Sequence, residues 1–229
     1  MRRFLVLFLA STSAYASAIL STDAGQFDKS NNVLWSQFGS DTIQQTFFAT
    51  YPYNQQVTGR FENGVGTTLV AGTDLPSSGG ISDSDVLLST QNGSGPLTFY
   101  TSAMYGVGAY IDSLAAGQFT ARIQVYSGIM SILDTKVTSD AAGSAVFLGV
   151  TDNTAEITKV VFSLTSGLAT DFVMDTLRLQ TKQFAAAPAP ALPIVIVPTV
   201  SNPEPGMAPL MALALGIAGF AYRKRWLNN

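Results

Sequence analysis

The chain has 229 residues, 47% of them hydrophobic and 12% charged, with a formal net charge of −3 and neither cysteine nor histidine. No disulfide can staple such a chain, and the Ser-His-Asp and Cys-His nucleophile systems and the histidine-based zinc sites are excluded. Between residues 19 and 202 seven basic side chains stand against fourteen acidic ones, a net of −7; that body speaks against a phosphate-backbone partner and is compatible with cations and neutral glycans.

The N-terminus, MRRFLVLFLASTSAYASA, places Arg2 and Arg3 before an apolar run from Phe4 to Ala10 and then small residues. This order predicts a secretory signal peptide over residues 1–18, cut after Ala16 or Ala18, with a buried N-terminal helix as the alternative. Residues 19–182 lack helical periodicity and predict an all-β sandwich domain, with short apolar-alternating runs punctuated by Gly, Asn, Asp and Ser. In its first half VTGRFENG, TTLVAG and DVLLST read as strands less clearly, and SSGG and QNGSG as turns. PLTFYTS (96–102) and YGVGAYID (105–112) follow as two strands. FTARIQV (119–125) places Phe119, Ala121, Ile123 and Val125 on one face and Thr120, Arg122 and Gln124 on the other. SAVFLGV (144–150) is apolar almost throughout, as a central strand is. TKVVFSL (158–164) directs Val160, Phe162 and Leu164 to one side, and DFVMDTLRLQ (171–180) is the last strand.

Beyond the sandwich, residues 183–201 form a Pro/Ala-rich linker, extended rather than folded. Gly206 to Tyr222 is uncharged for seventeen residues, the lower limit for a transmembrane helix, and Arg223, Lys224 and Arg225 follow. The positive cluster predicts a cytoplasmic end with the body outside.

The sequence Asn202-Pro203-Glu204-Pro205, then an apolar helix, then terminal basic residues, resembles the PEP-CTERM sorting signal, over residues 202–226. Asn202 stands where that family often has Val. The resemblance implies a protein exported through the Sec machinery of a Gram-negative bacterium. It implies transient anchoring in the inner membrane, recognition and cleavage by an exosortase-type membrane enzyme, and a destination at the cell surface or outside, in association with exopolysaccharide and biofilm. Two prolines flanking Glu204 keep the motif extended, as a processing cleft requires. Residues 95–180 resemble, at the level of fold, the jelly-roll domains of secreted PEP-CTERM proteins and the galactose-binding-like sandwiches used as carbohydrate-binding modules. The fold class expected is therefore an all-β, jelly-roll-like antiparallel sandwich with a signal helix and a single C-terminal transmembrane helix.

Asp175 falls among Val173, Leu177 and Leu179, on an apolar face by period 2, so its carboxylate needs amide donors, an arginine or a cation. The jelly-roll resemblance makes a structural Ca²⁺ one reading; capping of turn amides, or pairing with Arg122 or Arg178, is the other. Asp83 and Asp85 form a D-x-D pair that suits a hard cation or a solvated loop. Calcium is the one cofactor these residues suggest. Tyr51, Tyr53 and Asn54, with Gln55, are the best cluster for stacking on a sugar, whereas Trp35 reads as a core anchor and Tyr100, Tyr105 and Tyr110 are scattered. Glu62 and Glu156, the only glutamates of the body, have no motif that pairs them for glycoside cleavage. Asn92-Gly93-Ser94 reads as a turn. The function expected is that of a non-catalytic surface or extracellular-matrix protein. The alternatives are a carbohydrate-binding module with a specific glycan and a carboxylate-dependent glycan hydrolase or lyase.

Overall fold

The computed structural model describes residues 18–74, 79–91, 93, 95–166 and 171–183. The expected signal peptide up to residue 17, the linker beyond Gln183, the sorting segment with its apolar helix, Ser77, Ser78, Asn92 and Ser94 lie outside these residues. The described residues belong to the first of two units, Met1–Ala185 and Ala186–Asn229.

The first seven strands are β1 (Ile19–Ser21), β2 (Asn32–Val33), β3 (Thr46–Tyr51), β4 (Gln55–Phe61), β5 (Gly66–Val70), β6 (Val86–Thr90) and β7 (Leu97–Met104). The next seven are β8 (Gly106–Ser113), β9 (Thr120–Ser127), β10 (Met130–Thr138), β11 (Val146–Thr151), β12 (Ile157–Ser166), β13 (Phe172–Met174) and β14 (Leu177–Gln180). One sheet runs β1-β11-β8-β13-β6-β5, with β14 beside β8 and β2; the other runs β10-β9-β12-β7-β4-β3. The ladders between these strands are antiparallel, and the chain crosses repeatedly between the sheets, so the protein is a jelly-roll-like antiparallel β-sandwich.

Alternation builds the core between the sheets. Phe119, Ala121, Ile123 and Val125 are at most 1% exposed, as the period of FTARIQV requires, while Thr120, Arg122 and Gln124 face out. Val160, Phe162 and Leu164 join them from β12, and Phe47, Ala49 and Tyr51 from β3. PLTFYTS and YGVGAYID become β7 and β8 in opposite sheets, separated by Tyr105 alone. β1 and β2 are too short to show a period, and β10 hides its own because a bulge between Ser131 and Leu133 interrupts the ladder to β9. Gly59 leaves the space that the Phe47 ring fills: a Cβ there would stand 2.0 Å from the ring.

The last strand departs from expectation. Asp171–Gln180 is not one strand with Val173, Leu177 and Leu179 on one face. Met174 faces Ile111 and Arg178 faces Gly108, so four steps on this strand match three on β8. Asp175 and Thr176 share the place opposite Tyr110, and the Asp175 N–H donates to the Tyr110 carbonyl at 3.0 Å. This β-bulge reverses the faces. Phe172 and Met174 point into the main core together with Leu177 and Leu179, whereas Val173 joins a second cluster with Ala71, Ile81, Leu87 and Ala145.

Phe99 is fully buried and touches Trp35, Phe47 and Phe162. Truncating it to alanine is expected to cost about 3–5 kcal/mol through lost transfer energy and the cavity left behind. Urea unfolding of wild type and Phe99→Ala measures this, and a loss under about 1 kcal/mol would mean that the cluster does not carry the core.

Candidate functional site

Asp175 is 6% exposed, at the bulge. Its carbonyl accepts the indole N–H of Trp35 at 3.0 Å, which ties the 3₁₀ turn Trp35–Phe38 to the last strand pair. Burial pushes its carboxyl up from the ordinary value. The charge of Asp85 adds to this, and hydrogen bonds from Thr176 and the charge of Arg178 pull the other way. Asp85 spends one carboxylate oxygen on the Ser82 amide at 2.7 Å, closing its own turn, and Asp83 is exposed. Among the described residues no three acidic side chains converge as metal ligands. Tyr51 is buried at 5% and offers no face to a sugar. Tyr53 is 89% exposed and, like Asn54, has positive φ at the tip between β3 and β4. Trp35 is a core residue, 1% exposed.

The two glutamates lie at opposite ends of β7. Glu62 accepts the Thr98 hydroxyl at 3.2 Å, and Glu156 precedes Ile157, which faces Met104. Six strand residues separate those positions, roughly 20 Å, against the roughly 5–10 Å between the carboxyls of a glycosidase. A hollow of about 410 Å³ beside β3, bounded by Gln37, Phe38, Asp41, Ile43 and Phe47, has one carboxylate in its wall.

A more organised surface lies on the outer face of the six-stranded sheet. The ladders align Phe48 with Thr58, Thr58 with Tyr100, Tyr100 with Lys159 and Lys159 with Tyr126. One row across five strands thus carries three aromatic rings, each two strands from the next. Strands lie about 4.8 Å apart, so successive rings stand about 10 Å apart. Phe48 is 63% and Tyr100 43% exposed, and the Lys159 Nζ lies 3.6 Å from the centre of the Tyr126 ring.

Beside this row the same face holds Arg60, Arg122 and Lys136. The Arg122 Nε donates to Asp134 at 2.7 Å, its Nη2 pairs with the other carboxylate oxygen, and this grip holds the Asp134 carboxyl below its ordinary range. The Arg60 Nε lies 3.5 Å from Glu62. Four of the seven cations of the body therefore gather on one face with two of its fourteen acids. Sequence reading missed Phe48, Tyr126 and Lys159. Alternation in TFFATY could have turned Phe48 outward, but only the register between strands makes a row.

The C-terminal segment is decided by comparison: residues 203–225 match the PEP-CTERM protein-sorting motif. The chain carries a PEP-CTERM sorting signal. A PEP-CTERM signal indicates an exported protein with a membrane-anchoring C-terminus, handled by exosortase-type machinery. Among the described residues no helix is long and apolar enough to cross a membrane; the apolar part of the PEP-CTERM signal lies outside them. No curated protein matches the chain.

Among solved structures, the module TmCBM61 in complex with β-1,4-galactotriose is similar at 11% identity, over 55% of this chain and 88% of that one, with a TM-score of 0.37. The CBM22-1–GH10 modules of the Clostridium thermocellum xylanase 10B, complexed with xylohexaose, align at 12% identity over 71% of this chain and 30% of that one, TM-score 0.35. The family 11 carbohydrate-binding module from Clostridium thermocellum, with a mixed-linked tetrasaccharide, aligns at 11% identity over 68% and 99%, TM-score 0.30.

The raised Asp175 carboxyl has a stability consequence. A carboxyl whose folded value exceeds its unfolded one contributes stability below the unfolded value and loses it as pH rises. Asp175→Asn keeps an oxygen acceptor for Thr176 and removes the buried charge. The variant is expected to melt above wild type at neutral pH, with the gap closing as pH falls to the ordinary carboxylate value of 3.8. Thermal melts across that range test this, and a variant that melts lower at neutral pH would contradict the assignment.

Proposed function

We propose that this protein is a non-catalytic component of the cell surface or extracellular matrix that contacts polysaccharide through the outer face of its six-stranded sheet. The observation that carries the reading is the row Phe48–Tyr100–Tyr126 with Lys159 between two of its rings. Aromatic rings about 10 Å apart, the Tyr126 ring with Lys159 over one face, suit alternate sugars of an extended chain, and stacking needs no pocket. The cations gathered there favour a glycan that carries carboxylates or other anions. A non-catalytic role is supported by the absence of histidine from the sequence, the wide separation of Glu62 and Glu156, and the burial of Asp175.

Delivery follows from the two ends. The leader, residues 1–18, is removed on export through Sec, the apolar segment 206–222 holds the body outside the inner membrane, and an exosortase-type enzyme cuts near Pro203-Glu204-Pro205. Release or attachment to the matrix or biofilm completes the route. Mass spectrometry of the secreted protein is expected to find a C-terminus near residue 205. A secreted chain that still ends in Trp226-Leu227 or beyond would sink the processing step.

Affinity electrophoresis tests the face. The exported protein is expected to be retarded in gels containing a polyuronate, less so in gels containing a neutral glucan. Tyr100→Ala and Tyr126→Ala are each expected to weaken retention about tenfold, the equivalent of about 1.4 kcal/mol. Mobility unchanged by every polysaccharide tried, or retention untouched by both substitutions, would overturn the reading.

A further inference from the structure

The strand β10 is an edge of the six-stranded sheet and, at nine residues, the longest edge among the described residues; β1 has three residues, β5 five and β3 six. An exposed edge is a template for another strand, and proteins commonly close such edges. On the opposite edge one residue is capped in this way. The Gln37 side chain accepts from the Thr50 amide at 2.8 Å and donates to the Thr50 carbonyl at 3.2 Å, pairing with the backbone of β3. Among the described residues no side chain does the same for Leu133 to Val137.

The sequence of that stretch, LDTKV, is complementary to itself in antiparallel order. A two-fold axis at Thr135 sets Asp134 of one copy opposite Lys136 of the other, twice, and Leu133 opposite Val137, twice. The faces are preserved. Leu133, Thr135 and Val137 face the interior opposite Val125, Ile123 and Ala121 of β9, and Asp134 and Lys136 face outward. The β9 residues are fully buried, whereas Leu133 and Val137 are only half-buried, so the edge carries aliphatic surface that the described residues do not finish covering.

Neighbouring registers are disfavoured. A slip of two residues one way puts Asp134 against Asp134, the other way Lys136 against Lys136, and a slip of one turns apolar faces toward solvent. The bulge between Ser131 and Leu133 lies outside the paired stretch.

We infer that β10 is a docking edge for a second copy of this chain, paired antiparallel about Thr135 to make one continuous twelve-stranded sheet. Backbone groups supply the ladder, Lys136 approaching the Asp134 carboxylate that Arg122 and Gln124 of the other chain already hold sets the register, and Leu133–Val137 covers the interior side. An interface of this size gives a weak, concentration-dependent dimer. The pairing does not rest on the polysaccharide reading. If that reading holds, the dimer places two aromatic rows on one side of the joint sheet, and bivalence raises retention on a polymer without a new contact.

The chain lacks cysteine, which makes a single introduced thiol unambiguous. Thr135→Cys is expected to join two copies through a short bis-thiol linker, while Thr50→Cys on the opposite edge leaves them separate. Sedimentation of the exported protein over a wide concentration range is expected to show monomer passing to dimer. Lys136→Glu, which opposes Asp134 to a second acid, is expected to weaken association at least tenfold with an unchanged circular dichroism spectrum. A monomer at every concentration, equal cross-linking at Thr50 and Thr135, or a Lys136→Glu chain that still dimerises at wild-type strength would each overturn the inference. Glycan retention is measured separately, so loss of one property leaves the other readable.

Discussion

Trp35 stacks on Phe99 between the sheets at a ring separation of 5.9 Å, and its indole N–H reaches the carbonyl of Asp175. A chain without cysteine has no disulfide closure, so its two sheets stay together chiefly by burying what lies between them. Phe99 is the centre of that layer, in contact with Trp35, Phe47 and Phe162. The indole hydrogen bond adds direction to a non-directional force. It fixes the loop before β3 against the bulge in the last strand pair, and the bulge in turn lets Phe172, Met174, Leu177 and Leu179 enter one core. A strictly regular strand would have turned one pair away.

The same alternation that fills the interior decides what the exterior presents. Every residue of β9 that faces in is matched by a neighbour that faces out, and the outward set is Thr120, Arg122, Gln124 and Tyr126. Five strands bring Phe48, Tyr100, Tyr126 and Lys159 into one row. Asp85, Asp112, Asp171 and Asp175 lie in or beside strands of the other sheet. An acidic body thus has a face with a different sign of charge. Its two exposed ion pairs contribute little to stability, because solvent screens them. Their importance is in the potential they shape toward solvent.

The C-terminal motif and the outer face of the sandwich belong to different parts of this chain. The sorting motif at residues 203–225 is a local, linear pattern. Composition marks no special face on the sandwich, because the row of rings on its outer sheet is made of ordinary strand residues at ordinary spacing. Tyr51 shows the difficulty. It sits in the stretch richest in aromatic and amide side chains, yet period 2 along β3 sends it inward and sends Phe48 outward.

Sequence alone determined the C-terminal sorting motif, because the PEP-CTERM pattern is local and linear. It also determined the all-β class and the inward faces of β9 and β12, because strand alternation is a property of adjacent residues. Tertiary structure alone decided three things: that Asp175 sits at a bulge, that the aromatic rings of distant strands form one row, and that β10 is an open edge. Each depends on register between strands far apart in the chain. Register is set by how the whole core packs, so no window of sequence contains it.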